Sequence, residues 1–320
     1  SCVAACAASG QVSIWEVPSL KPIGKLKGHE RPALTLAWHP TRGELATGGQ
    51  DGVVRLWSSV TGEEQAVLSL GSPNVWGERL AWSPDGAYLA ASAGRSLRIW
   101  RGGGTVPELT AEIPAHKTTV SALVWTPNST GVMTSCYGGA WLWKLGQDKP
   151  VRPFPYDGAL LSIAVSPNSE YLATGNLDGS VHLFRIDSEQ NWHMSGYPTK
   201  VTSVAFDCNG QNLFTVSGPA LVSWNMKKFE GTGGRLFEGH EGWIQDLACH
   251  PRRAVVATVG EDGLLCLWEP QTTKPICTQQ VAQSEGLSCV AWSPQGRWLA
   301  TGSANGTVSL CSVDGNGVRS

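Results

Sequence analysis

Apolar and polar residues alternate along this chain in short runs, and no stretch keeps a helical period. Eight of the runs close on an aromatic residue or a stand-in for one: Trp15, Trp57, Trp100, Trp143, Phe184, Trp224, Trp268 and Cys311. Neighbouring closures lie 40 to 44 residues apart. A fixed period in that range marks an array of one repeated unit. Within a unit, an apolar run ends near a proline, as in LTLAWHP, ERLAWSP and SCVAWSP. A second run follows (GELATGG, EYLATGN, RWLATGS), then a turn that is often Asp-Gly or Asn-Gly. Such turns supply the positive φ values of tight hairpins. The alternating third run carries the closing aromatic, and a more polar fourth run, such as EEQAVLSL, KPIGKLKG or KPICTQQ, ends the unit. Four short antiparallel strands per unit predict an all-β array.

With Gly28-His29 ahead of Trp57, Gly239-His240 ahead of Trp268 and the variant Ala115-His116 ahead of Trp143, the chain resembles the WD-repeat β-propeller family. The resemblance spans nearly all 320 residues, which read as a single domain. The closing dipeptide departs from Trp-Asp throughout; it is Trp-Glu at 15–16 and 268–269. The first unit begins at its second strand and the last ends after its third, leaving only DGNGVRS. An open sheet edge is costly. The expectation is eight repeat units, the first and last incomplete because terminal strands lie outside the given sequence. A seven-bladed ring is the alternative.

Composition fits such an array. Hydrophobic residues make up 41% and charged residues 16%, enough for a large core and too little charge for disorder. A net charge of −2 without clustered Lys and Arg points away from nucleic acid. No charged start leads into an apolar signal core, and no apolar run is long enough to cross a bilayer, although the chain opens abruptly on SCVAACAASG. Most of the nine Cys sit inside apolar strand patterns and read as buried, reduced thiols. That suits an intracellular, cytoplasmic location.

Candidate chemistry centres first on Asp51, in TGGQDGVVRLW. The same offsets recur: Thr47, Asp51 and Trp57; Thr258, Asp262 and Trp268; Thr174, Asp178 and Phe184. The resemblance implies that His29, Thr47, Asp51 and Trp57 form one hydrogen-bonded tetrad inside a blade, and His240, Thr258, Asp262 and Trp268 another. A buried carboxylate and an indole N–H both need partners. A Thr-His-Asp nucleophile is the competing assignment. Two copies on separate blades do not make one site, and the third unit has Gly94 in place of the Asp, so no catalytic residue is expected. His39, His250 and Cys249 fill positions taken by Ser, Thr or apolar residues in sibling units and read as turn or strand residues. Zinc needs three or four converging ligands, and no metal or cofactor site is expected. Cys2 and Cys6 share a strand face, and Arg101 to Gly104 opens no helix that could cradle phosphate.

Function is then expected on the rim, in loops that the family uses as its main contact face. Where the chain enters the first strand of each unit it reads Pro32, Trp76, Thr119, Ala159, Lys200 and Trp243, with Glu285 in the last unit. The residue before the turn Asp reads Gln50, Leu177 and Glu261. Trp76 and Trp243 stand out, since the siblings use other residues and aromatic anchors are typical binding hot spots. The expected function is a non-catalytic scaffold that presents a rigid face to a protein or peptide partner, with no membrane contact. A metal-handling accessory protein using Cys and His is the alternative. A propeller hydrolase is weaker, because only Glu78 and Asp246 place acids on the first runs.

Overall fold

The computed structural model describes residues 2–24, 26–104, 106–113, 116–147, 149–230, 233–283, 285–314 and 317–319. They form strands and turns, with no helix. The fold is all-β and built of antiparallel four-stranded sheets, each the blade that the sequence predicts. Seven such blades are present among the described residues, matching the seven-bladed alternative. They span 33–69, 80–113, 122–155, 160–194, 203–237, 244–280 and 287–319. In every blade the four strands lie side by side in chain order. The chain divides into two compact units, 1–160 and 161–320. No helix among the described residues is long and apolar enough to cross a membrane.

Two sequence expectations need correction at the ends. The last unit is complete: DGNGVRS supplies a fourth strand, Gly317–Arg319, paired to the third through Ser312 and Arg319. Residues 315, 316 and 320 lie outside the described residues. The first sequence repeat is a two-stranded sheet, Cys2–Cys6 with Val12–Glu16. Its expected fourth run, KPIGKLKG, contributes one isolated bridge, Trp15 with Pro22. On either side of that bridge the Glu16 N–H donates to the Lys21 carbonyl at 2.9 Å and the Ile23 N–H to the Ile14 carbonyl at 2.8 Å.

The core lies between blades. In the first unit, Val54, Leu56 and Leu68 of the first blade pack with Leu89, Ala91 and Trp100 of the second. The second unit repeats this arrangement: Phe214, Val216 and Phe237 of the fifth blade meet Val256, Cys266 and Trp268 of the sixth. Alternation along the strands therefore feeds one apolar layer in each of these blade pairs. The first-strand tryptophans add polar ties across those layers. Trp125 Nε1 donates to the Ala81 carbonyl at 3.0 Å, and Trp292 Nε1 to the Ala248 carbonyl at 2.9 Å.

His39 and His250 are more than turn residues. Each is buried and stands edge-on against a tryptophan of the next blade, Trp82 or Trp292, with ring centroids 4.7 Å apart. His39 Nδ1 accepts the N–H groups of Thr41 (3.2 Å) and Arg42 (3.0 Å). His250 Nδ1 does the same for Arg252 and Arg253, both at 3.0 Å. With Nδ1 accepting, Nε2 carries the proton and donates to the Gly86 carbonyl (3.0 Å) or the Gly296 carbonyl (3.2 Å). Both glycines have positive φ, and a Cβ on either would run into the imidazole.

Burial and the adjacent arginines push both imidazoles below the usual histidine value. A depressed histidine gives stability that is complete above its unfolded value and is lost as pH falls through the folded one. Asp246 acts in the opposite direction. Burial pushes it up to about 6 from 3.8, so its contribution is lost as pH rises through that interval. The melting temperature measured across this range is expected to fall less on the acid side in H39Q/H250Q, where the depressed His116 and His182 remain, and to fall less on rising pH in D246N. Unchanged profiles would remove these residues from the account.

Candidate functional site

Around Asp51 the hydrogen-bond directions are fixed by chemistry. Trp57 Nε1 donates to Thr47 Oγ1 at 2.9 Å. The Thr47 hydroxyl lies 2.8 Å from His29 Nε2, and His29 Nδ1 lies 2.8 Å from Asp51 Oδ1. Since a carboxylate only accepts, Nδ1 carries the proton, Nε2 accepts and the threonine hydroxyl donates. Asp51 Oδ2 also accepts the Glu30 N–H at 3.2 Å and faces Arg55 at 3.5 Å. Burial opposes the charge on Asp51, but His29, the Glu30 N–H and Arg55 more than offset it and hold the carboxyl below the usual range.

The sixth blade repeats the chain of bonds. Trp268 Nε1 donates to Thr258 Oγ1 at 2.7 Å, Thr258 Oγ1 lies 2.8 Å from His240 Nε2, and His240 Nδ1 reaches Asp262 Oδ2 at 2.9 Å. Asp262 accepts further N–H bonds from Glu241, Gly242 and Leu264. Both threonines and both tryptophans are buried. Each threonine oxygen is already engaged twice inside the sheet, so it is a joint in the network and poorly placed as a nucleophile.

Sibling blades keep parts of this chain and improvise the rest. In the third, His116 Nε2 lies 2.8 Å from Thr134 Oγ1 and Trp143 Nε1 donates to the same oxygen at 2.8 Å. The Arg95 carbonyl takes the acid's place, 2.8 Å from His116 Nδ1. Ala115 lies outside the described residues. In the fifth blade Tyr197 occupies the histidine position, 18 residues before Thr215. Trp224 Nε1 donates to Tyr197 Oη at 2.8 Å, and Tyr197 Oη lies 2.8 Å from Thr215 Oγ1. Burial pushes the Tyr197 phenol up to about 12. Sequence reasoning missed Tyr197 by searching only for histidine; the offset of 18 shared with His29, His116 and His240 would have found it. In the fourth blade Phe184 has no N–H to offer. Thr174 instead donates to Asn176 Oδ1 at 3.0 Å, and Asn176 and Ser180 connect onward to Asp178. In the seventh, Cys311 replaces the tryptophan, and the buried Thr301 hydroxyl has no hydrogen-bond partner among the described residues.

The rim residues fall in their own units. In the first, Trp76 is 46% exposed and Thr119 is exposed, while Pro32 and Gln50 are half-buried, joined by the Gln50 N–H to the Pro32 carbonyl at 2.9 Å. In the second, Trp243 is 43% exposed, and Leu177, Lys200 and Glu261 are exposed. The Glu261 N–H donates to the Trp243 carbonyl at 2.9 Å. Glu285 is half-buried and sits one residue short of the expected place. Gly286, immediately before the strand Leu287–Trp292, matches Trp243, immediately before Ile244–Cys249. Glu78 is half-buried, and Asp246 spends its oxygens on the N–H groups of Leu247 and Val290, each at 2.9 Å.

All nine cysteines are free thiols. Burial pushes Cys266 and Cys311 up to about 11 and Cys249 higher still, disfavouring the thiolate that a metal needs. Among the described residues, no three His, Cys, Asp or Glu side chains gather as a metal-binding group.

The fold recurs in known proteins. A computationally designed protein, Ika8, superposes with a TM-score of 0.81 at 20% identity, covering 97% of this chain and 92% of that one. Among curated proteins, fission yeast Protein hir1 (Schizosaccharomyces pombe) is 22% identical over 90% of this chain and 36% of its own length. Human Striatin-4 is 24% identical over 90% of this chain and 37% of its own. Mouse WD repeat-containing protein 90 is 24% identical over 98% of this chain and 18% of its own. The chain thus spans less than two fifths of each of these curated relatives. The sequence model of the WD domain, G-beta repeat, matches residues 20–58, 71–101, 107–144, 149–185, 231–269 and 274–312, well over half of the chain. With these matches and the blade geometry together, the chain belongs to the WD domain, G-beta repeat family.

Proposed function

We propose that this chain is a non-catalytic interaction scaffold whose rim binds a protein or peptide partner. The observation that carries the reading is the contrast between the two kinds of conspicuous residue. The catalytic-looking His, Thr and Asp side chains spend their hydrogen-bonding capacity on one another and on backbone. Trp76 and Trp243 leave nearly half their surface in solvent on loops held by rigid sheets. Exposing a large aromatic is unfavourable in isolation, and such residues serve as anchors in interfaces. The metal-handling alternative gains no comparable support, since the cysteines are dispersed and burial keeps several of them protonated.

Proteins retained by the immobilised chain from a lysate, quantified for wild type, W76A and W243A, test the proposal. At least one partner is expected to be depleted by one or both substitutions. Stability is expected to stay within about 0.5 kcal/mol of wild type, as for surface changes. Equal partner sets for all three chains would reject it, as would a melting temperature that falls in step with capture.

A further inference from the structure

We infer that the Trp243 rim receives a basic peptide segment, with an arginine or lysine side chain laid over the indole and held by Glu241, Glu261 and Glu285. The inference rests on the scaffold reading above and names the partner's chemistry.

Three loops meet around Trp243. Glu241 and Gly242 precede it, Glu261 is bonded to it through the backbone, and Gly286, next to Glu285, lies against Glu261. The two glycines permit this closeness. A Cβ on Gly242 would stand 3.2 Å from the Glu261 Cβ, and one on Gly286 would stand 3.0 Å from the Glu261 Cα. Gln245 Nε2 donates to Glu261 Oε1 at 2.8 Å and fixes that side chain. None of the three glutamates forms an ion pair with a described residue. The adjoining stretches 238–247, 260–264, 281–287 and 303–307 contain no Lys or Arg at all. Lys200, on the preceding blade, is the cation of this rim.

Trp76 supplies an internal comparison. Its surroundings mix signs: Arg31, Arg79 and Arg95 accompany Glu30 and Glu78, and Arg31 Nη1 reaches the Pro73 carbonyl at 3.5 Å. Of the two tryptophan rims, that of Trp243 sets an exposed ring beside three glutamates without ion pairs among the described residues, against the single cation Lys200. A cation is attracted to an indole face and to carboxylates alike, and a guanidinium satisfies both at once. An anionic or purely apolar segment would leave the glutamates without partners.

The test uses labelled peptides GRGRGRG, GKGKGKG and GEGEGEG in fluorescence anisotropy with the full chain. Both cationic peptides are expected to bind and the glutamate peptide not to. W243A and E241Q/E261Q/E285Q should each weaken binding by about tenfold or more, and added salt should weaken the wild type more than the triple variant. I276A, at the opposite end of the same blade, should bind as wild type does. No binding of either cationic peptide at about 1 mM, a range that still detects weak contacts, would overturn the inference. So would equal binding of the glutamate peptide, or W243A binding like wild type. If a partner from lysate still depends on Trp243 in such a case, the scaffold reading stands and only the basic chemistry falls.

Discussion

Replacing Thr258 by Val is expected to destabilise the protein by about 2–5 kcal/mol, whereas the same change at Thr301 is expected to cost nothing or to stabilise by up to about 1 kcal/mol. Both threonines are buried, at 0% and 2% exposure, so loss of packing does not separate them. Hydrogen bonding does. Thr258 joins Trp268 Nε1 to His240 Nε2, and valine would strand a donor and an acceptor in a dry interior. In the blade of Thr301, Cys311 replaces the tryptophan and the Thr301 hydroxyl is unmet among the described residues, so valine removes a penalty there. Chemical unfolding of the two variants checks the pair. Equal costs would mean that the polar chains contribute no more than shape.

Tyr197 gives the second large effect. Y197F is expected to cost about 1–3 kcal/mol, because Trp224 Nε1 loses its acceptor and Thr215 loses a partner. W224F should cost less in the Y197F background than in wild type, since the group that was left unpaired is then gone. A double-mutant cycle reads this coupling directly. Strict additivity would show that the tyrosine packs beside the tryptophan without clamping it.

These two sites also show what could be read from the amino-acid string. The chains at Asp51 and Asp262 were legible because one spacing of Thr, Asp and Trp occurs twice and the family resemblance implies that His29 and His240 complete it. The Tyr197 chain keeps the spacing and changes the residue type, so a search by residue type passes over it. His39 and His250 were legible as turn residues. Their bonds to Gly86 and Gly296 were not, because the partners lie 47 and 46 residues away on another blade. The closing strand Gly317–Arg319 is too short to carry an alternating pattern, which is why the last unit read as incomplete. At the rim, position could be inferred from the repeat. The grouping of three glutamates around Trp243 required the loops to be brought together.

The central claim is a division of labour: polar chains hold the blades, and rim tryptophans hold the partner. The most direct measurement sets melting temperature beside partner capture for T258V and W243A, with capture measured below both melting points. T258V is expected to melt earlier and to retain its partner, and W243A to melt like wild type and to lose it. A folded T258V that no longer captures, or a W243A that melts as early as T258V, would contradict the claim.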